Sequence, residues 1–171
     1  ISYGFDNKDD IWCEIEKIRE SSTDFTVYAA EKKLGSITLG VPGKHNVLNA
    51  LAVVALANEL GMEFSGIAQS MAEFRGARRR FDMLYKSSNY SIVDDYGHHP
   101  TEIKATIETA KQLNPERLVC VFQPHRYTRT KLMLDKFSSA FSEVDKIFIT
   151  EVYAAGEAPI VGADSNAIVE S

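Results

Sequence analysis

Two short runs carry the side chains best suited to chemistry: Asp94-Asp95-Tyr96-Gly97-His98-His99-Pro100-Thr101-Glu102 and Gln123-Pro124-His125-Arg126-Tyr127-Thr128-Arg129. The first offers carboxylates, a phenol and imidazoles. The second offers two guanidiniums and an imidazole. Imidazole exchanges a proton near neutral pH, whereas guanidinium stays charged and pairs its donors with carboxylate or phosphate oxygens. Together they suit a small anionic, amine-bearing molecule held beside a phosphorylated one. Arg126 and Arg129 are three apart, so a helix starting here would put both on one face, able to hold one carboxylate. Cations at a helix start cost about 0.3–1 kcal/mol against its dipole unless an anion binds, which favours an anion site over a plain surface.

Other assignments for these runs are weaker or open. Asp94, Asp95, His98 and His99 have metal-ligand chemistry, but no second cluster stands at zinc-like spacing, and adjacent strand residues point to opposite faces. A carboxylate at a strand end commonly holds ribose hydroxyls, a role open to Asp94 or Asp95.

Positioning requires elements. Strand Tyr90–Tyr96, helix Thr101–Leu113, strand Arg117–Phe122, helix Arg129–Val144 and strand Lys146–Glu151 alternate as βαβαβ. That alternation predicts an α/β fold with a parallel sheet and right-handed crossovers. Both loaded runs then fall at strand ends, where open α/β sheets bind ligands. Pro100 suits a first helical turn, where its missing N–H costs nothing. Upstream the rhythm is different. Ile1–Phe5, Ile11–Ile15, Phe25–Tyr28 and Ser36–Leu39 read as strands, the last three as an antiparallel meander. Helices over Lys44–Leu60 and Ser65–Phe74 follow, and Gly76 with Arg78-Arg79-Arg80 marks a boundary.

Two further motifs have competing readings. Gly40-Val41-Pro42-Gly43-Lys44-His45 lacks the first glycine and the final hydroxyl of a phosphate loop and is not one. It does place His45, Asn46 and Asn49 at a helix start, where they can meet a nucleobase edge or simply cap and solvate the helix. The arginine run is either a solvated basic surface or a phosphate clamp.

Bulk properties narrow the classes. The 171 residues fit one ordinary domain or two small ones, and 44% hydrophobic content supports a packed core. A net charge of −5 argues against nucleic-acid binding. Cys13 and Cys120 form no metal or redox motif and read as reduced core residues of a cytoplasmic protein; no apolar stretch is long enough for a membrane span. The chain opens inside a strand without Met, as expected of a fragment.

Taken together, Gly43–Ala50, Gly76–Phe81, Asp94–Glu102, Gln123–Thr130 and Val152–Glu157 with Gly162–Ser165 resemble the Mur ligases of peptidoglycan synthesis. The resemblance spans essentially the whole chain. It implies residues 1–76 as the β-meander and helical end of a central ATP-binding domain, and residues 77–171 as a Rossmann-like, mostly parallel C-terminal domain. The implied reaction is ATP-dependent: L-alanine is joined to the lactyl carboxylate of UDP-N-acetylmuramate through an acyl phosphate. On that resemblance His45, Asn46, Asn49, Arg80 and Asp95 contact ATP, with Arg80 reaching its phosphates. Tyr96, His98, His125, Arg126 and Arg129 form the L-alanine pocket. Arg80, His98 and His125 are the catalytic candidates, and the sequence does not choose which histidine takes the ammonium proton. The phosphate loop, the UDP site and the Mg2+ ligands belong to parts of the enzyme missing here, so the fragment alone is expected to be inactive. Alanine stands where the family's linker motif usually has valine (Ala77). Two alternatives remain: a sister ligase recycling murein tripeptide, and a non-enzymatic nucleotide-binding module.

Overall fold

The computed structural model describes residues 1–170, which divide into two compact units, Ile1–Asp94 and the residues from Asp95 onward. In the first unit, strands β1 (Tyr3–Gly4), β2 (Ile11–Ile18), β3 (Thr23–Ala29) and β4 (Lys32–Leu39) form a sheet in chain order. β1 runs parallel to β2, and β2, β3 and β4 form the antiparallel meander. Alternation explains its inner face: Ile11, Cys13, Phe25, Val27, Ile37 and Leu39 are all buried. Thr26 is buried on the other side and donates to Glu16 at 2.6 Å, so its hydroxyl is not stranded.

Helix α1 (Lys44–Glu59) covers this face with Val47, Leu51 and Val54, spaced at helical period. Gly43 begins it at φ 100°, a conformation that costs glycine little and a side chain more. Helix α2 (Phe64–Glu73) adds Ile67 to the same core and runs beside β4. Their junction is tight. Gly40 donates from its amide to the Met71 carbonyl at 3.2 Å, and a Cβ on Gly40 would stand 2.0 Å from the Phe74 carbonyl oxygen.

Beyond Gly76 the structure departs from the sequence expectation. Residues 82–86, to which the sequence assigned no element, form strand β5 (Asp82–Lys86), and β6 (Ser91–Asp94) pairs with it antiparallel. The turn chemistry explains this hairpin. Ser87 N donates to the Tyr90 carbonyl at 2.9 Å, while the Ser87 hydroxyl accepts from Asn89 N and Tyr90 N at 3.2 Å. Among the described residues β6 therefore has an antiparallel partner, where the alternation predicted a parallel one.

The second unit contains helix α3 (Pro100–Lys111), strand β7 (Val119–Phe122), helices α4 (Tyr127–Leu132) and α5 (Leu134–Ala140), strand β8 (Lys146–Ile149) and helix α6 (Ser165–Glu170). β7 and β8 pair in parallel, as expected of a crossover through helix. The predicted helix over Arg129–Val144 is broken at Met133, whose φ of −120° leaves the helical region. Ile103, Ile107, Phe122, Phe137, Phe141 and Ile168 form the core. Phe122 lies 5.5 Å from Phe137 and 5.1 Å from Phe141, ring to ring, which anchors the end of β7 directly before Gln123.

Replacing Gly40 by alanine is expected to destabilise the first unit by about 1–3 kcal/mol, because the clash is with backbone rather than a movable side chain. Denaturant unfolding monitored at Trp12 measures it; an unchanged midpoint would contradict the close packing.

Candidate functional site

The loop entering α3 is held by hydrogen bonds that spend several of its polar groups. Asp95 Oδ1 accepts from Gly97 N at 2.6 Å, and a Cβ on Gly97 would meet that oxygen at 2.8 Å. The Glu102 carboxylate accepts from the amides of both His98 and His99 at 3.1 Å, while His99 Nδ1 accepts from Thr101 N at 3.2 Å. His99 and Glu102 thus cap the helix reciprocally. With its neighbours so fixed, His98 donates from Nδ1 to the Tyr96 carbonyl at 3.0 Å. A carbonyl can only accept, so the neutral ring carries its proton on Nδ1 and a lone pair on Nε2.

The second run leaves the end of β7. His125 forms an isolated parallel bridge with Tyr153, the Arg126 amide donates to the Tyr153 carbonyl at 2.9 Å, and the Tyr153 amide donates to the Pro124 carbonyl at 2.8 Å. This pairing keeps the chain extended past the strand, and Arg126 turns at φ 73° before α4 starts. Arg126 is therefore outside the helix. The expectation that Arg126 and Arg129 share a helix face is corrected: Arg126 is set by its own left-handed turn and Arg129 by α4.

Arg129 donates from Nη1 to the His125 carbonyl at 3.2 Å and to His125 Nδ1 at 3.3 Å. Guanidinium only donates, so His125 must accept on Nδ1 and carry its proton on Nε2. The two histidines thus have opposite tautomers. His125 is held below the ordinary imidazole value, first by desolvation, then by the positive charge of Arg129. Around them the rings are continuous. Tyr96 meets His98 edge-on at 5.2 Å, His98 lies 5.6 Å from His125, and His125 stacks on Tyr153 at 5.4 Å.

The two loaded strand ends thus share one place: Tyr96, His98, His125, Arg126 and Arg129 all lie in the second unit, joined by these contacts. Sequence reading missed two members of the group. Tyr153 supplies the backbone tie, and Glu157 accepts from Thr128 N at 2.9 Å and from the Thr128 hydroxyl at 2.7 Å. Glu157 Oε1 stands 3.7 Å from Arg126 Nη1. The rule that sends ligands to strand ends applies equally to β8, and its tail after Glu151 was the available signal.

The other candidates lie mostly in the first unit. His45, Asn46 and Asn49 occupy the opening turns of α1, and Asn46 Nδ2 donates to the Pro42 carbonyl at 2.7 Å, tying the helix start down. Arg80 is exposed in the turn before β5. Its neighbour Arg79 pairs through Nε with Asp94 at 3.0 Å, and Asp95 accepts from Gly97 N, so both carboxylates already have partners. Asp95 lies in the second unit, so this set is divided between the units. Among the described residues no group of three His, Cys, Asp or Glu side chains is placed to hold a metal ion. Cys13 and Cys120 are unpaired thiols; burial pushes Cys13 up to about 12 and Cys120 in the same direction, so neither is a ready nucleophile.

Comparison with known proteins adds ancestry. Residues 79–171 match the family described as Mur ligase, glutamate ligase domain, and residues 1–57 the Mur ligase middle domain. The chain is 42% identical to the UDP-N-acetylmuramate--L-alanine ligase of Syntrophotalea carbinolica over 99% of its own length and 37% of that protein's. It is 46% identical to the enzyme of the same name from Geobacter sp. strain M21, over 98% of this chain and 36% of that protein. Among solved structures it superposes on UDP-N-acetylmuramate-alanine ligase MurC from Thermotoga maritima with a TM-score of 0.79 at 32% identity, covering 99% of this chain and 36% of that one. The chain thus spans little more than a third of the length of these relatives.

Histidine ring NMR should show His125 titrating below 6.5, with Arg129→Met moving it upward; a midpoint that ignores Arg129 would contradict the pairing. The sign for stability follows. Folding lowers this pKa, so the contribution is present above 6.5 and is lost as pH falls from there through the folded value.

Proposed function

The chain belongs to the Mur ligase family, and on that premise we propose that it is the amino-acid-binding part of an ATP-dependent ligase joining L-alanine to UDP-N-acetylmuramate. One observation carries the reading: oppositely fixed imidazoles and two guanidiniums gathered at the ends of β7 and β8. Arg126 and Arg129 pair with the alanine carboxylate. Tyr96 and His98 line the amine side. The lone pair on His98 Nε2 receives the ammonium proton, and the His125 Nε2 proton donates a hydrogen bond. The partners of each Nδ1 support this assignment, a choice that sequence left open. Once the amine is neutral it attacks the carbonyl carbon of the acyl phosphate, the C–N bond forms, and phosphate leaves with the C–O electron pair and takes up the second amine proton, leaving the amide.

Residues 1–76 are proposed as the end of the central ATP-binding domain and residues 77–171 as the C-terminal domain. On the nucleotide side, His45, Asn46 and Asn49 are assigned to adenine, Asp95 to ribose and Arg80 to the phosphates. Phosphoryl transfer depends chiefly on position and charge neutralisation, which Arg80 supplies in part. Mg2+ would be held by groups outside this chain. A cytoplasmic location fits these soluble substrates, and no helix among the described residues is long and apolar enough to cross a membrane.

Arg126→Ala in the full-length enzyme is expected to raise the KM for alanine about 10–100-fold, the loss of one charged hydrogen-bonded pair, with kcat less affected. Unchanged alanine kinetics would remove Arg126 from the site. This chain alone is expected to form no product, and ligation by the purified chain would overturn the division of labour. Competition between L-alanine and murein tripeptide separates this enzyme from the recycling ligase: a preference for the tripeptide would reverse the assignment.

A further inference from the structure

We propose that Glu157 is a positioning residue of the amino-acid site, setting the Arg126 guanidinium in the pose that receives the substrate carboxylate. The proposal rests on the reading of that site given above, and Glu157 acts through Arg126.

Backbone geometry points to this pair from both sides. Arg126 sits at φ 73° and Ala155 at φ 51°, left-handed conformations that side-chain-bearing residues rarely adopt. Such strain persists only where surrounding bonds over-determine it, and it concentrates at ligand clamps. Ala155 and Gly156, at φ 51° and 86°, form a tight turn closed by Glu157 N donating to the Ala154 carbonyl at 3.0 Å. That turn begins one residue after Tyr153, whose carbonyl accepts from the Arg126 amide. The two strained residues are thus tied together by backbone, and the outcome is that Glu157 faces Arg126.

The carboxylate is oriented rather than loose. Its side chain is 19% exposed, and both oxygens accept from Thr128, the amide at 2.9 Å and the hydroxyl at 2.7 Å. These hydrogen bonds hold Glu157 ionised, below its ordinary carboxylate value. Arg126 Nη1 then stands 3.7 Å from Oε1, beyond hydrogen-bond length. At that distance attraction aims the guanidinium without consuming its donors, which remain suited to a bidentate carboxylate. A carboxylate whose task was only to close α4 would need Thr128 and have no use for Arg126.

The test uses the full-length enzyme. Glu157→Gln keeps the shape and an acceptor for Thr128 but removes the charge. The KM for the amino acid is expected to rise about tenfold while kcat and the KM for ATP change less than about twofold. In an Arg126→Ala background the same substitution should add less than about twofold, because its action passes through Arg126. An unchanged KM, a loss confined to kcat or thermal stability, or effects that multiply in the double variant would each overturn the proposal. Should Glu157→Gln not fold, Thr128→Val, which removes the hydroxyl bond to Oε1 and leaves the amide bond to Oε2, is read on the same KM. The wild-type enzyme is assayed first with L-alanine, glycine, L-serine and murein tripeptide. Its choice decides the substrate reading, and the Glu157 result is then read on whichever amine is ligated, so the two ideas fail separately.

Discussion

Everything at this site depends on the pair of backbone hydrogen bonds between Tyr153 and the Pro124–Arg126 segment. They extend the parallel pairing of β7 and β8 past the last regular residues and hold two loops together at the strand ends. Without them His125 would lose its stacking on Tyr153, and the chain would have no reason to pass through the left-handed turn at Arg126. The tie is made of backbone, so it tolerates variation in side chain but not in register. A one-residue slip in a parallel pair would send every side chain to the opposite face. The phenylalanine core around Phe122 guards against that slip by burying one face of β7.

Electrostatics follow from this frame. Desolvation first, and then the positive charge of Arg129, makes protonation of His125 costly, which favours the neutral imidazole as a donor over a third cation. Glu157 offsets part of that positive field while remaining occupied with Thr128. His98 is governed by different neighbours, a carbonyl and the loop capped by Glu102, and takes the other tautomer. Two residues of one type thereby acquire opposite hydrogen-bonding roles through their partners alone.

Much of the architecture was legible in the chain. Short strand-like runs separated by Asp, Ser and Gly clusters gave the meander, the Ala- and Leu-rich run stopped by Gly61 gave α1, and Pro100 marked the start of α3. The β5–β6 hairpin was not legible, because Asp82–Lys86 follows an arginine run that resembles a linker and its turn is specified by one serine hydroxyl. The broken helix after Leu132 was missed for a similar reason: Met133 is a good helix former, and its departure from helical angles reflects packing rather than propensity.

Residue types and their spacing by themselves determined the chemistry on offer at two strand ends: anion-binding guanidiniums, titratable imidazoles and a phenol. They also determined the alternating rhythm that brings strand ends together. Tertiary structure decided which way each imidazole carries its proton, that Arg126 stands outside the helix, and that Tyr153 and Glu157 belong to the group. The reason is range. Periodicity and turn chemistry act over a few neighbouring residues, whereas the setting of Arg126 involves Glu157, which meets Thr128 29 positions away, and even the local partners of the imidazoles, Tyr96 and Arg129, are aimed by loop conformations that exist only when the chain has folded.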